Sequence, residues 1–197
     1  MKILLGSQSP RRRELLAGLD VDFRVVAIDA DEHYPAGLTG GDIPYFISRA
    51  KAEAYSEPLA EDEVLLTADT IVWVPGEGDR GGVMLGKPKD EEEARGMLLL
   101  LSGRMHEVYT GVTIRTHDGM QTIVDKTEVW FRALSKEEID HYVERYKPLD
   151  KAGAYGVQEW IGYVGVTKIV GSYFNVMGLP VERVWEILSN LKTQGLC

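Results

Sequence analysis

The chain has 197 residues, 44% of them hydrophobic and 27% charged, the proportions of an ordinary globular protein with one domain, or one domain with two lobes. Its formal net charge of −9 disfavours broad binding to nucleic-acid backbones or anionic membranes, yet permits a small polyanion held in a local basic pocket. The single cysteine, Cys197, excludes an internal disulfide framework and a thiolate-rich zinc site.

No apolar stretch reaches the roughly 18–20 residues that span a bilayer. The four apolar residues from Ile3 to Gly6 are too few for a signal peptide, so a cytoplasmic protein is expected. Strand-like and helix-like segments alternate, which predicts an α/β fold. Ile3-Leu4-Leu5 reads as a strand. A helix then opens with Ser9 as N-cap and Pro10 at the first position, and buries Leu15, Leu16 and Leu19. Phe23 to Ile28 is strand-like. Tyr45 to Tyr55 reads as a helix with Phe46, Ala50 and Ala54 along one stripe.

The clearest strand signal is Val64 to Val74, rich in β-branched residues. A turn or hairpin tip follows over Pro75 to Gly82. Asp90 with Glu93 makes a capping box for a helix that stops at Ser102-Gly103. Val108 to Arg115 and Gln121 to Phe131 form a hairpin around His117-Asp118-Gly119. Ser135 with Glu138 caps a helix to Tyr146. Beyond the glycine-containing loop around Lys151 to Gly156, short strands are expected over Gly162 to Val170. Pro180 opens a last helix whose apolar stripe is Val184, Ile187, Leu188 and Leu191.

Four groups of residues could carry chemistry. Ser7-Gln8-Ser9-Pro10-Arg11-Arg12 joins a strand to a helix start, where free N–H groups and the dipole favour an anion. Guanidiniums and hydroxyls suit phosphate oxygens; the plain alternative is a capped helix whose first turn is basic. Asp69 lies inside an apolar strand, where a carboxylate must be paired, hydrogen-bonded or metal-bound. A structural aspartate satisfied by a partner fits equally. The pair Asp31-Glu32 follows a strand-like run, and such pairs are usually solvated. Lys51, Lys87 in Gly86-Lys87-Pro88, and Lys151 each suit an ordinary surface lysine. Together, carboxylates for a metal and cations for phosphates are what phosphoryl chemistry requires. His33, His106, His117 and His141 show no metal-ligand spacing, and neither a Walker-type loop nor a dinucleotide-binding glycine fingerprint is present. The four tryptophans suit packing better than base stacking.

In order along the chain come Ser7-x-Ser9-Pro10-Arg11-Arg12-x-x-Leu15-Leu16, Ala68-Asp69-Thr70, Gly86-Lys87-Pro88, Leu101-Ser102-Gly103 and Asp150-Lys151-Ala152-Gly153-Ala154-Tyr155-Gly156-Val157-Gln158. Gly171-Ser172-Tyr173 and Gly178-Leu179-Pro180 complete the series. Each piece is weak alone, but the ordered set closely resembles the Maf family of nucleotide pyrophosphatases, also named septum-formation inhibitor proteins. The resemblance implies a single domain over residues 1–197: an elongated mixed sheet with flanking helices and two lobes around a cleft, related to the inosine-triphosphate pyrophosphatases. It implies hydrolysis of a nucleoside triphosphate between its α and β phosphates, with a divalent metal (Mg²⁺ or Mn²⁺).

On that resemblance Asp69 matches the proposed general base and Glu32 an acidic residue that helps hold the metal; Asp69 suits a metal ligand as well as a base. Ser7, Arg11, Arg12, Lys51 and Lys87 match positions lining the phosphate site. Arg12, Thr70 and Gln158 match the trio of the branch resembling dTTP/UTP pyrophosphatases. A glutamine amide donates and accepts, as pairing with a pyrimidine's carbonyl and imide N–H demands. The segment Gly76 to Gly82 is longer than the tight turn such a strand pair needs. Trp160 and Tyr163 suit either the surface of a homodimer or the base pocket. Two other functions remain open: a nucleotide-binding regulator of cell division without relevant catalysis, and a purine-directed house-cleaning pyrophosphatase.

Overall fold

The computed structural model describes residues 1–76, 81–193 and 195. Cys197 and residues 77–80 of the expected turn lie outside them. The strands are β1 (Lys2–Leu5), β2 (Phe23–Val25), β3 (Glu63–Val74), β4 (Val83–Leu85), β5 (Met105–Arg115), β6 (Met120–Phe131) and β7 (Val166–Val170). The helices are α1 (Pro10–Ala17), α2 (Asp42–Ala54), α3 (Glu91–Leu101), α4 (Lys136–Tyr146), α5 (Trp160–Gly165), α6 (Tyr173–Met177) and α7 (Val181–Thr193). Among the described residues the strands make one mixed sheet, ordered β2-β1-β3-β5-β6-β7, with β4 on β3. β1 runs parallel to β2 and β3, whereas β4 is antiparallel to β3 and β7 to β6. This is the α/β fold expected from the alternating segments, with the mixed sheet that the family resemblance implies. None of the described helices is long and apolar enough to cross a membrane.

Most expected elements appear near their predicted bounds, and four details differ. In α2 the buried row is Ile43, Ile47, Ser48 and Ala52, followed by Tyr55 just past the helix, while Phe46 is exposed. The apolar residues at 46, 50 and 54 share a helical face, but the wrong one. Helix α5 occupies the first part of the span expected as strands, and only residues 166–170 extend. Gly162 in that helix lies against the Val157 carbonyl, where a Cβ would stand 1.8 Å from the oxygen. Strand β4 and helix α6 were not expected. Finally, Asp90 accepts the Glu93 N–H, but Glu93 reaches back to the N–H of Lys89, not to that of the cap. The box at Ser135 and Glu138 closes on both sides.

The chain divides into two compact units. Unit 1 holds residues 1–69, 110–125 and 178–197, and unit 2 holds residues 70–109 and 126–177. In unit 1, Leu4, Val26, Ala52, Tyr55, Leu59 and Leu65 form one cluster, so β1, β3 and α2 share an apolar layer. In unit 2 a larger core gathers α3 and α4 side chains such as Leu98, Leu101, Ile139 and Tyr142 with Val129, Phe131 and Tyr155. His106 lies fully buried there, edge-on to Phe131 and Tyr155, with Nε2 2.7 Å from the Tyr155 hydroxyl.

Candidate active site

In unit 1 the start of α1 is built as its residues suggest. The chain leaves β1 through Gly6, whose N–H donates to the Leu66 carbonyl at 2.8 Å. A Cβ at Gly6 would meet Ile28 Cδ1 at 2.4 Å and Thr67 Cγ2 at 2.9 Å, so only glycine lets the turn lie against β3. Ser9 caps α1 by accepting the Arg12 N–H, at a long 3.5 Å, and its own N–H donates to Ser7 Oγ at 3.3 Å. The three arginines then diverge. Arg13 is exposed and donates to the Gln8 carbonyl. Arg12 turns inward and donates to Ser7 Oγ at 3.3 Å and to the Gly178 carbonyl at 2.9 Å. Burial lowers the Arg12 pKa; Asp69 opposes that most strongly, Arg11 adds to it, and Glu32 opposes it. Arg12 stays protonated all the same. Asp69, Glu32 and Arg11 are thus its electrostatic neighbours.

Lys51 brings the carboxylates together. Its Nζ lies 2.8 Å from Glu32 Oε1 and 2.8 Å from Asp69 Oδ1. The Lys51 and Asp69 side chains are 14% and 15% exposed, against 56% for Glu32. Lys51 points inward because it follows Ile47 by four residues on the buried face of α2. The expected pair Asp31-Glu32 is divided: Glu32 goes to Lys51, while Asp31 accepts from the His33 backbone and pairs with its ring.

A set of contacts fixes α2, and with it Lys51. Gly111 in β5 lets the helix approach, since a Cβ there would fall 2.1 Å from the Pro44 carbonyl oxygen. Thr67 donates its hydroxyl to the Ser48 carbonyl at 2.7 Å, Ser48 Oγ lies 3.1 Å from Thr113 Oγ1, and Thr113 lies 2.9 Å from Thr122. At the far end, Arg115 donates to the carbonyls of Ala52 and Tyr55 at 2.8 and 2.9 Å. That cation satisfies acceptors the helix terminus leaves open and suits its negative end. None of these supporting residues was singled out from the sequence. A glycine inside a run as β-prone as β5 is the one signal that pointed to such a close approach.

The remaining expected residues belong to unit 2. Thr70 directly follows Asp69 in β3 and is half-buried. Lys87 is exposed, just past β4, beside Gly86, whose carbonyl accepts the Gly153 N–H at 3.0 Å. Gly153 takes φ +67° with Val72 Cγ2 2.8 Å from where a Cβ would stand, so two glycine-bearing loops meet there. Lys151 is buried, not a surface lysine: it pairs with Asp150 and Glu159. Glu159 also receives the Tyr142 hydroxyl, which accepts the Gly156 N–H at 3.0 Å. Burial and Glu159 together push the Tyr142 pKa up. This network frames Gln158, whose buried Oε1 has no hydrogen-bond partner.

The donor set also bears on a metal. Among the described residues no three His, Cys, Asp or Glu side chains converge, so the chain offers Asp69 and Glu32 and no closed cage. Two carboxylates that already share one cation fit magnesium or manganese, which usually take one or two carboxylates and complete their shell with water and substrate phosphates.

The chain is 50% identical over 191 residues to a dTTP/UTP pyrophosphatase of Bacteroides thetaiotaomicron, covering 96% of each chain. It is 52% identical over 190 residues to a dTTP/UTP pyrophosphatase of Parabacteroides distasonis, covering 96% of this chain and 95% of the other. Among solved structures, the Ham1 protein of Staphylococcus aureus covers 66% of this chain at 18% identity and a TM-score of 0.42, too slight a likeness to bear on the site. Residues 2–191 match the family described as Maf-like protein. The chain belongs to the Maf family.

Proposed function

We propose that this protein hydrolyses nucleoside triphosphates to the monophosphate and pyrophosphate, with dTTP and UTP as its substrates. The observation that carries the site assignment is the meeting of Asp69, Glu32 and Lys51 beside the arginine-bearing start of α1. Carboxylates able to hold a metal and cations able to hold phosphates stand together in one unit, as phosphoryl chemistry needs.

In this reading Ser7, Arg11 and Arg12 bind phosphate oxygens, helped by the positive end of the α1 dipole. Lys51 adds a point charge there, and Lys87 is a further phosphate-binding cation in this reading. Asp69 orients the attacking water and accepts its proton. The bond from that water's oxygen to the α phosphorus forms as the bond from phosphorus to the bridging oxygen breaks, and pyrophosphate leaves with the electron pair. Glu32 and Asp69 hold the divalent ion, which supplies charge neutralisation for the triphosphate when bound. The cations stabilise charge on the nonbridging and leaving oxygens.

Gln158 reads the base. Its amide can donate to a pyrimidine carbonyl and accept from the imide N–H of uracil or thymine, and its unpartnered Oε1 supports that role, because a buried acceptor without a partner is costly. Thr70 and Arg12 complete the selecting set. The reaction takes place in the cytoplasm, on the free nucleotide pool.

The test is pyrophosphate release from a panel of natural and modified nucleoside triphosphates, with Mg²⁺, with Mn²⁺ and with chelator. Metal-dependent turnover of dTTP and UTP well above the purines is the expected result. Preference for a purine would keep the chemistry and remove Gln158 from its role. Binding without turnover of any nucleotide would establish a regulator in place of an enzyme.

A further inference from the structure

Asp69 and Glu32 already share a cation: the Lys51 ammonium, 2.8 Å from an oxygen of each. A magnesium ion held by both carboxylates, at about 2.1 Å from its oxygens, would have to share that space and that negative charge with Lys51. The helix offers little give. Gly111 against Pro44, the Thr67–Ser48–Thr113 hydrogen bonds and Arg115 at the last carbonyls hold α2 at both ends and in the middle. Release of Asp69 therefore comes from rotation of the Lys51 side chain, and the displaced ammonium needs a new anion.

The surrounding charge points the same way. Arg12 has Arg11, Asp69 and Glu32 as electrostatic neighbours. A bare divalent cation meets the charge of Lys51 directly, 2.8 Å from an oxygen of each carboxylate it would need. A divalent metal bound to a nucleoside triphosphate carries net negative charge and brings phosphate oxygens to which Lys51 can turn.

Resting on the reading of the site given above, we infer that Lys51 is a resident cation reserving the metal position of the free protein, so that the site takes the metal–nucleoside triphosphate complex as one ligand and discriminates against the bare ion. Metal and nucleotide are then coupled: each tightens the other by the same factor, and Lys51 sets much of that factor.

Mn²⁺ binding to the full chain, read from loss of the electron paramagnetic resonance signal of the free ion, tests this without turnover. The proteins are wild type, Lys51→Met and Lys51→Gln, each with and without the non-hydrolysable α,β-methylene analogue of dTTP. Circular dichroism confirms that each is folded, and the glutamine variant serves if the methionine variant does not fold. Removing the competing charge is expected to tighten Mn²⁺ binding to the nucleotide-free protein by about tenfold or more and to shrink the gain that the analogue brings. Mn²⁺ affinity in the variants equal to or weaker than wild type would overturn the inference, while Mn²⁺ captured with the analogue by wild type would leave the proposed function standing. Mn²⁺ that binds wild type under neither condition would overturn both.

Discussion

Lys51 and Lys151 occupy closely similar local arrangements, one in each unit, and only one of them is assigned to the site. Lys51 joins Glu32 and Asp69, and Lys151 joins Asp150 at 2.8 Å and Glu159 at 3.1 Å. Both side chains are largely buried. They differ in what encloses the carboxylates. Glu159 is held by Tyr142, a fully buried ring stacked on Tyr146, and the same hydroxyl secures the Gly156 N–H. That set pins the short segment 150–159 to its own core. Glu32 and Asp69 come from stretches far apart in the chain, and their further company is Arg11 and Arg12. A lysine between two carboxylates is thus no mark of an active site by itself. It becomes a staple when protein groups close the network, and a position of exchange when the nearby charges are ones a ligand can replace.

The sharpest way to break this distinction is at Asp69. Asp69→Asn keeps the shape and removes the charge, and its kcat is expected to fall by about 10²–10⁴-fold while the thermal midpoint moves little. Steady-state kinetics beside a melt would show it; wild-type turnover would reduce Asp69 to a structural partner of Lys51. Next in size is the staple. Lys151→Met leaves Glu159 without its cation in a mostly buried setting, and should cost about 3 kcal/mol in urea unfolding. Lys51→Met should cost less, because Arg12 remains beside Asp69 as a second cation, whereas the Tyr142 hydroxyl brings Glu159 no positive charge. Equal losses would make the two lysines the same kind of feature.

The last effect concerns acid. Burial lowers the His106 pKa to about 3, so the ring is neutral in the folded protein and its pKa lies below the unfolded value of about 6.5. Its contribution to stability is complete above pH 6.5. It is lost as pH falls from there towards 3, at up to ~1.4 kcal/mol per pH unit. His106→Phe should flatten that part of the stability profile relative to wild type, measured by urea titrations at stepped pH. An unchanged slope would show that the buried ring in unit 2 gives no acid sensitivity.

How far the sequence could be read depended on the range of each interaction. Ser9 with Pro10, and Ser135 with Glu138, were legible because a cap is a relation among three or four neighbours. The inward row of α2 was not: it mixes Ser48 and Lys51 with Ile43 and Ile47, so hydrophobicity alone pointed to Phe46, Ala50 and Ala54. Helix α5 was hidden by its β-prone residues and two glycines, and the close contact of Gly162 with Val157 appears only in three dimensions. At the site, Arg12 and Asp69 could be singled out from local context. Lys51 as the bridge between Asp69 and Glu32 could not, because nothing in the spacing of residues 32, 51 and 69 requires them to meet. The capture of Lys151 by Glu159 and Tyr142 was hidden likewise.

The contact of Gly111 with Pro44 sets a mechanical tolerance. The two segments touch with only a hydrogen atom between them where any other residue would carry a carbon. Lys51 lies seven residues further along α2, two turns or about 10 Å along the axis. A methyl group at position 111 would act as a shim under one end of a stiff rod, and the tilt would be read out as displacement of the ammonium at the other. The precision with which this protein holds a charge between two carboxylates is therefore gauged partly by a residue that touches neither the charge nor the carboxylates.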